Sequence, residues 1–152
     1  MTYRAPLRDQ LFILNDVLHL DSYGQLPGFA DASMETVEQI LTEAAKFCEE
    51  VVAPLNSVGD KQGCKWSPDN TVKTPDGFKD AFKQMVEAGW PALGADPAWG
   101  GQGLPAVVSV AFSEMMSSAN MAFGMYPGLT HGAYAAIAEG GSDEQKALYL
   151  PK

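Results

Sequence analysis

Little in this chain is basic, sulfur-rich or continuously apolar. Ten lysines and arginines stand against nineteen acids, a net charge of −9 over 152 residues. Neither a phosphate backbone nor an anionic bilayer would attract such a chain, so nucleic-acid and membrane-surface functions are excluded. No apolar run approaches the roughly 20 residues of a membrane span. The two cysteines, Cys48 and Cys64, form no C-x-x-C and have no histidine near them, which argues against a metal centre or a disulfide framework. The opening MTYRAPLRDQ has no apolar segment or small-residue cleavage site after its charges, so no secretory signal is expected and a reduced, cytoplasmic protein fits best. Internal repeats, low-complexity tracts and credible strand pairs are also missing.

What is present is helical periodicity. With 46% hydrophobic residues, the chain is globular and one domain long. Leu7, Leu11, Leu14 and Leu18 recur at helical spacing, and Phe12, Ile13 and Val17 widen the stripe. They predict a short amphipathic helix on an N-terminal arm covering residues 1–32. Residues 33–152 then read as one helical domain. Ser33 caps a second helix whose face is Val37, Ile40, Leu41, Ala44, Cys48 and Val51, and Pro54 is expected to end it. Residues 56–72 read as loop with a turn at Ser67–Asn70. A third helix is expected from Thr74, with Pro75 in its first turn, burying Phe78, Phe82, Met85 and Val86 and stopping at Gly89. A fourth begins near Pro105 and carries Val107, Val110, Ala111 and Met115. Asn120 caps a fifth, which Pro127 either kinks or restarts and which Gly140 and Gly141 end. The S-x-x-Q of Ser142–Gln145 is a capping box for a sixth. The expectation is an all-α domain of six helices.

The five lysines between Lys61 and Lys83 are interleaved with Asp60, Asp69, Asp76 and Asp80 and read as a solvated mixed-charge face. GQGLPA, Gly101–Ala106, matches G-x-G-x-x-G/A. A dinucleotide loop needs a strand before it and an acid about twenty residues on. Here WPALGADPAW precedes it, and Asn120, Met121 and Ala122 stand at the later positions, so the glycines are assigned to a tight loop pinned by Trp90 and Trp99. His19, His131, Glu114 and Glu139 are the acid–base candidates, and no spacing gives any of them a partner that would tune it. No G-x-S-x-G is present. Gly124, Gly128 and Gly132 fall at i, i+4 and i+8 on one helical face, where each costs roughly 1 kcal/mol relative to alanine. Close approach of another helix, or a groove for a ligand, would offset that cost.

The chain resembles the N-terminal helical domain of the flavin-dependent acyl-CoA dehydrogenases. The likeness is carried by GWPALGADPAWGGQGLP (Gly89–Pro105), by SEMM (Ser113–Met116), and by GSDEQKALYLPK (Gly141–Lys152), which is similar to the family's G-x-x-x-QK-x-x-YLP signature. The arm YRAPLRDQLFIL and MAFGMYPGLTHGAY (Met121–Tyr134) are similar to a longer branch that includes bacterial enzymes for 3-methylmercaptopropionyl-CoA. The resemblance implies an enzyme of three domains, with FAD and the acyl thioester bound between this helical domain, a middle β-domain and a C-terminal helical bundle. A glutamate base, hydride transfer to the flavin, electron-transferring flavoprotein as acceptor and a homo-oligomer belong to the same expectation. Because the sequence ends at YLPK, before the flavin motif and the base, no catalytic, cofactor-binding or metal residue is assigned. This chain alone is expected to be an inactive part that binds no FAD. Counting back from Gln145-Lys146, the family's acyl-lining positions fall on Gly124, Met125, Gly128 and the neighbouring turn, so Leu129 and Gly132 complete the expected substrate wall. The resemblance thereby favours the groove. A stand-alone helical interaction module is the alternative.

Overall fold

The computed structural model describes residues 3–151. Its first helix, α1 (residues 7–17), is α-helical over Leu7–Phe12 and π-helical over Ile13–Val17. His19, at φ 51°, turns the chain out of it into a single 3-10 turn, Leu20–Tyr23. The arm does not stand apart from the domain. Leu14 and Leu20 are in the core. The Tyr3 hydroxyl donates to the Met115 carbonyl at 3.0 Å, and the Glu49 carboxylate accepts both the Ala5 N–H (2.9 Å) and the Arg4 guanidinium (2.8 Å). Gln10, 5% exposed, donates to the Ala111 carbonyl at 3.0 Å and to Glu114 at 2.9 Å. Phe12, Ile13, Val17 and Leu18 are exposed rather than part of the buried stripe, because the core contact is made by Leu14, with Leu7 and Leu11 half-buried beside it.

α2 runs over residues 34–62. Ser33 caps it through the Thr36 N–H (3.3 Å), and the Asp21 carboxylate takes the Met34 N–H (2.8 Å). Val37, Leu41, Ala44, Cys48 and Val52 are fully buried. Pro54 does not end this helix. Phe47–Val52 is in π register and the α register resumes at Ala53 with the proline in its first turn. The widened turn just upstream accommodates the ring and the missing donor. The expected loop of 56–72 therefore begins only after Gln62, and it contains a small hairpin that has no counterpart in the sequence-based expectation. Here β1 (Lys65–Trp66) pairs antiparallel with β2 (Val72–Lys73). The Ser67–Asn70 turn closes it, with Asn70 at φ 63° and its N–H on the Ser67 carbonyl at 2.9 Å.

α3 is Phe78–Glu87, starting a turn later than expected because Gly77 at φ 83° precedes it. It buries Phe78, Ala81 and Met85. Phe82 and Val86 are one step round the helix and exposed. Gly89, at φ 76°, ends it as predicted. α4, Ala106–Gly140, follows the glycine-rich loop, and α5, Asp143–Tyr149, closes the described chain behind the expected Ser142–Gln145 capping box. The described residues thus form five helices rather than six. The two helices read into 106–140 run on as one stretch, broken at Asn120 without an intervening loop. The first half of α4 buries Val108, Ala111, Phe112, Met115 and Met116 against α2, whereas Val110 is 64% exposed. The architecture is all-α, and α4 passes from the middle of the core to its edge.

Candidate functional site

Asn120 decides where the edge of α4 lies. Its backbone is extended (φ −163°, ψ 90°), so the helix restarts there and needs a new cap. Its Oδ1 accepts the Phe123 N–H at 3.0 Å, and its Nδ2 donates to the Val52 carbonyl of α2 at 3.4 Å. One amide 1% exposed therefore caps the second half of the helix and ties it to α2. The sequence anticipates the cap. The tie to Val52 has no signal in the sequence, since it spans 68 positions.

Phe123 follows, fully buried, edge-on to Phe78 at 5.6 Å between centroids, with Tyr126 set against both rings. Past this aromatic anchor the helix leaves the core. Met125 is 69% exposed and Leu129 87%. A Cβ on Gly124 would meet the Met116 side chain at 3.0 Å, but on Gly128 or Gly132 it would find no atom of the described residues within 4 Å. At 100° per residue, Gly124, Gly128, Met121, Gly132, Met125 and Leu129 lie in that angular order within an arc of about 140°. All five predicted wall residues therefore share one face of one helix. Close packing within the described chain accounts for Gly124 alone, and its neighbour there, Met116, belongs to the first half of α4 itself. The face is open, not an enclosed cavity: two surface depressions lie elsewhere, one bounded by Glu35, Glu38 and Thr42 of α2, the other by Gln62, Lys65 and Lys73 at the hairpin. Pro127 sits within the helix without leaving helical geometry.

The glycine-rich loop offers no phosphate cradle. A nucleotide phosphate is held by free backbone N–H groups, and here they are occupied: Gly101 N–H on Asp96 carbonyl, Gln102 on Ala92, Gly103 on Ala95 and Leu104 on Leu93, all at 2.9–3.0 Å. A Cβ at Gly101 would collide with the Ala95 carbonyl oxygen, so this glycine permits the chain to fold back on itself. The loop does not fit a flavin diphosphate. Trp90 anchors it by stacking on Phe112 at 5.1 Å, while Trp99 is only half-buried and lies outside the core cluster.

The acid–base candidates are not brought together. His19 faces the Asn15 carbonyl (3.2 Å), Glu114 serves the arm through Gln10, and His131 and Glu139 are exposed without hydrogen-bond partners among the described residues. Burial, with a smaller contribution from Glu49, pushes the Cys48 thiol up to about 12, which makes it a core residue and no nucleophile. No metal-ligating cluster occurs among the described residues, and no helix there is long and apolar enough to cross a membrane.

A model of the acyl-CoA dehydrogenase N-terminal domain matches residues 34–152. Over 152 residues the chain is 39% identical to the 3-methylmercaptopropionyl-CoA dehydrogenase of Ruegeria pomeroyi, covering all of this chain and 26% of that protein. Over 145 residues it is 34% identical to the broad-specificity linear acyl-CoA dehydrogenase FadE5 of Mycobacterium tuberculosis, covering 95% of this chain and 24% of that protein. The chain thus spans about a quarter of the length of these curated relatives.

Proposed function

This chain belongs to the acyl-CoA dehydrogenase family as its N-terminal helical domain, and from that premise we propose that it serves an enzyme of the relatives' length that dehydrogenates an acyl-CoA thioester between its α and β carbons. Residues 33–152 supply the helical domain and residues 1–32 its arm, braced against it between Tyr3 and Leu20. The observation that carries the reading is the open face of α4. Gly124, Met125, Gly128, Leu129 and Gly132 give a helix surface low in side-chain bulk, edged by flexible apolar side chains, and among the described residues nothing lies over Gly128 and Gly132. An apolar acyl chain is suited to such a surface, since missing side chains leave room and methionine and leucine adapt to its outline. Because the relatives are dehydrogenases, this reading is favoured over a stand-alone interaction module.

FAD, when bound, supplies the hydride acceptor. The glycine-rich loop, whose amides are occupied, would not hold the FAD diphosphate. This chain's own contribution is to bind and orient the acyl group and to exclude water from it. Electron-transferring flavoprotein as electron acceptor, a homo-oligomeric state and a cytoplasmic setting complete the proposal, and the free thiols of Cys48 and Cys64 suit a reducing compartment. Acyl-CoA-dependent reduction of an artificial electron acceptor tests it. The enzyme of the relatives' length should turn over at least one member of an acyl-CoA series, whereas the 152-residue chain supplied with FAD should give neither activity nor stoichiometric flavin binding. A flavin-loaded enzyme of that length, inert to every acyl-CoA, would contradict the proposal.

A further inference from the structure

We infer that Tyr134 is a positioning residue, whose hydrogen bond to the backbone of Asp96 fixes the distance between the glycine-lined half of α4 and the glycine-rich loop. The inference rests on the acyl-wall reading above and goes beyond it by naming what holds the wall in place.

The loop is the stiff partner. The Asp96 carbonyl accepts the N–H groups of Trp99 (2.9 Å) and Gly101 (3.0 Å), its Oδ1 accepts the Ala98 N–H (2.8 Å), and Gly103 bonds back to the Ala95 carbonyl (2.9 Å). The Asp96 N–H is directed the other way, out of the turn, and donates to the Tyr134 hydroxyl oxygen at 2.8 Å. The helix is the less constrained partner. After Phe123 and Tyr126 it leaves the aromatic anchor, and a Cβ on Gly128 or Gly132 would touch none of the described residues. Pro127 removes the backbone donor that would have bonded the Phe123 carbonyl. Among the described residues, residues 127–140 make no other side-chain hydrogen bond to the rest of the chain. The nearest one upstream is the long 3.8 Å contact of Tyr126 with the Cys64 sulfur. The segment also packs against α5 near its end, but its one side-chain hydrogen bond is the tie to the stiff loop, which sets its distance from that loop. Tyr134 lies two residues beyond Gly132, so any sideways drift of the wall stretches this bond first.

Tyr134→Phe in the enzyme of the relatives' length removes the acceptor and keeps the ring. A lost hydrogen bond of this kind corresponds to about a two- to tenfold change in an equilibrium. The expected result is a rise of that size in KM for long acyl-CoAs, with kcat and the short-acyl KM unchanged. Amide exchange at Asp96 should accelerate, which reports the broken bond independently of activity, and the melting temperature should stay within a few degrees. Gly128→Leu, which fills the wall itself, is assayed beside it. If Gly128→Leu shifts the long-to-short ratio and Tyr134→Phe does not, although Asp96 exchange has accelerated, the positioning role is overturned while the acyl wall stands. If neither variant shifts the ratio, the acyl wall is wrong and the inference falls with it. Unchanged Asp96 exchange would show that the bond bears no load and would also overturn it.

Discussion

Asn120→Asp should destabilise the fold by on the order of 3 kcal/mol at pH 7 and by much less at pH 4. The substitution is nearly isosteric and retains the oxygen that accepts the Phe123 N–H. What changes is the other half of the side chain. The Asn120 Nδ2 donates to the Val52 carbonyl, whereas an ionised carboxylate would face that carbonyl with a second acceptor, at a position 1% exposed. Desolvation and the facing carbonyl both oppose the charge, and the N-terminal dipole of the restarted helix offsets only about 0.5–1 kcal/mol of that. The folded pKa of the new acid therefore lies above its unfolded value of roughly 4. Below the unfolded pKa the neutral acid can donate to Val52 and accept from Phe123, and stability is retained. As the pH rises through the folded pKa that stability is lost, about 1.4 kcal/mol for every pH unit by which the folded pKa exceeds the unfolded one. Urea unfolding at pH 7 and pH 4, with the parent protein at each pH as reference, measures it. An equal penalty at both would show that neither burial nor the Val52 carbonyl disfavours the charge there.

Phe123→Ala carries the largest expected loss of stability, about 3–5 kcal/mol. The ring is the largest of the fully buried side chains. Truncating it removes apolar surface from the core and leaves a void that α2 and α3 cannot close without moving. Its edge-on pairing with Phe78 at 5.6 Å adds about 0.5–1.5 kcal/mol beyond area alone. Phe123 is also the last α4 residue held fully inside the core, so its loss frees the distal half of the helix. Against a total stability of about 5–15 kcal/mol for a natural domain, the variant should unfold at much lower denaturant concentration. A loss below about 1 kcal/mol would show that the α4 edge is not anchored there.

The parts of the fold legible in the sequence were those set by local rules. The caps at Ser33, Asn120 and Ser142 and the stop at Gly89 each depend on side chains or φ values within a few residues, and all four are where the sequence puts them. Burial faces were legible where the apolar arc was narrow, as in α2. They were misread where it was wide, because periodicity alone cannot tell Ala81 from Phe82 as the inward residue. Pro54 was misread for a similar reason: the π-register turn that accommodates it depends on the six residues of Phe47–Val52 upstream, not on the proline itself. The ties made by Gln10 to Ala111, Asn120 to Val52 and Tyr134 to Asp96 join residues far apart in sequence and left no pattern there. For the site, the i, i+4, i+8 glycines were visible as a stripe. The open space beside Gly128 and Gly132 became visible only when the neighbouring elements were in position.

The acyl-length profile of Gly128→Leu, in the enzyme of the relatives' length, tests the central claim most directly. A Cβ added at Gly128 meets nothing within 4 Å among the described residues, and leucine improves helix propensity by somewhat under 1 kcal/mol, so thermal stability should hold or rise slightly. If the face is the acyl wall, the same side chain enters the space of the substrate. Overfilling a fitted apolar space costs about 1–3 kcal/mol, which is roughly fivefold to 150-fold in kcat/KM for long or bulky acyl-CoAs. Short acyl groups, which stop before Gly128, should lose far less. A variant that loses stability while keeping the parent's acyl-length profile would contradict the account, and would assign these glycines to packing against another part of the protein.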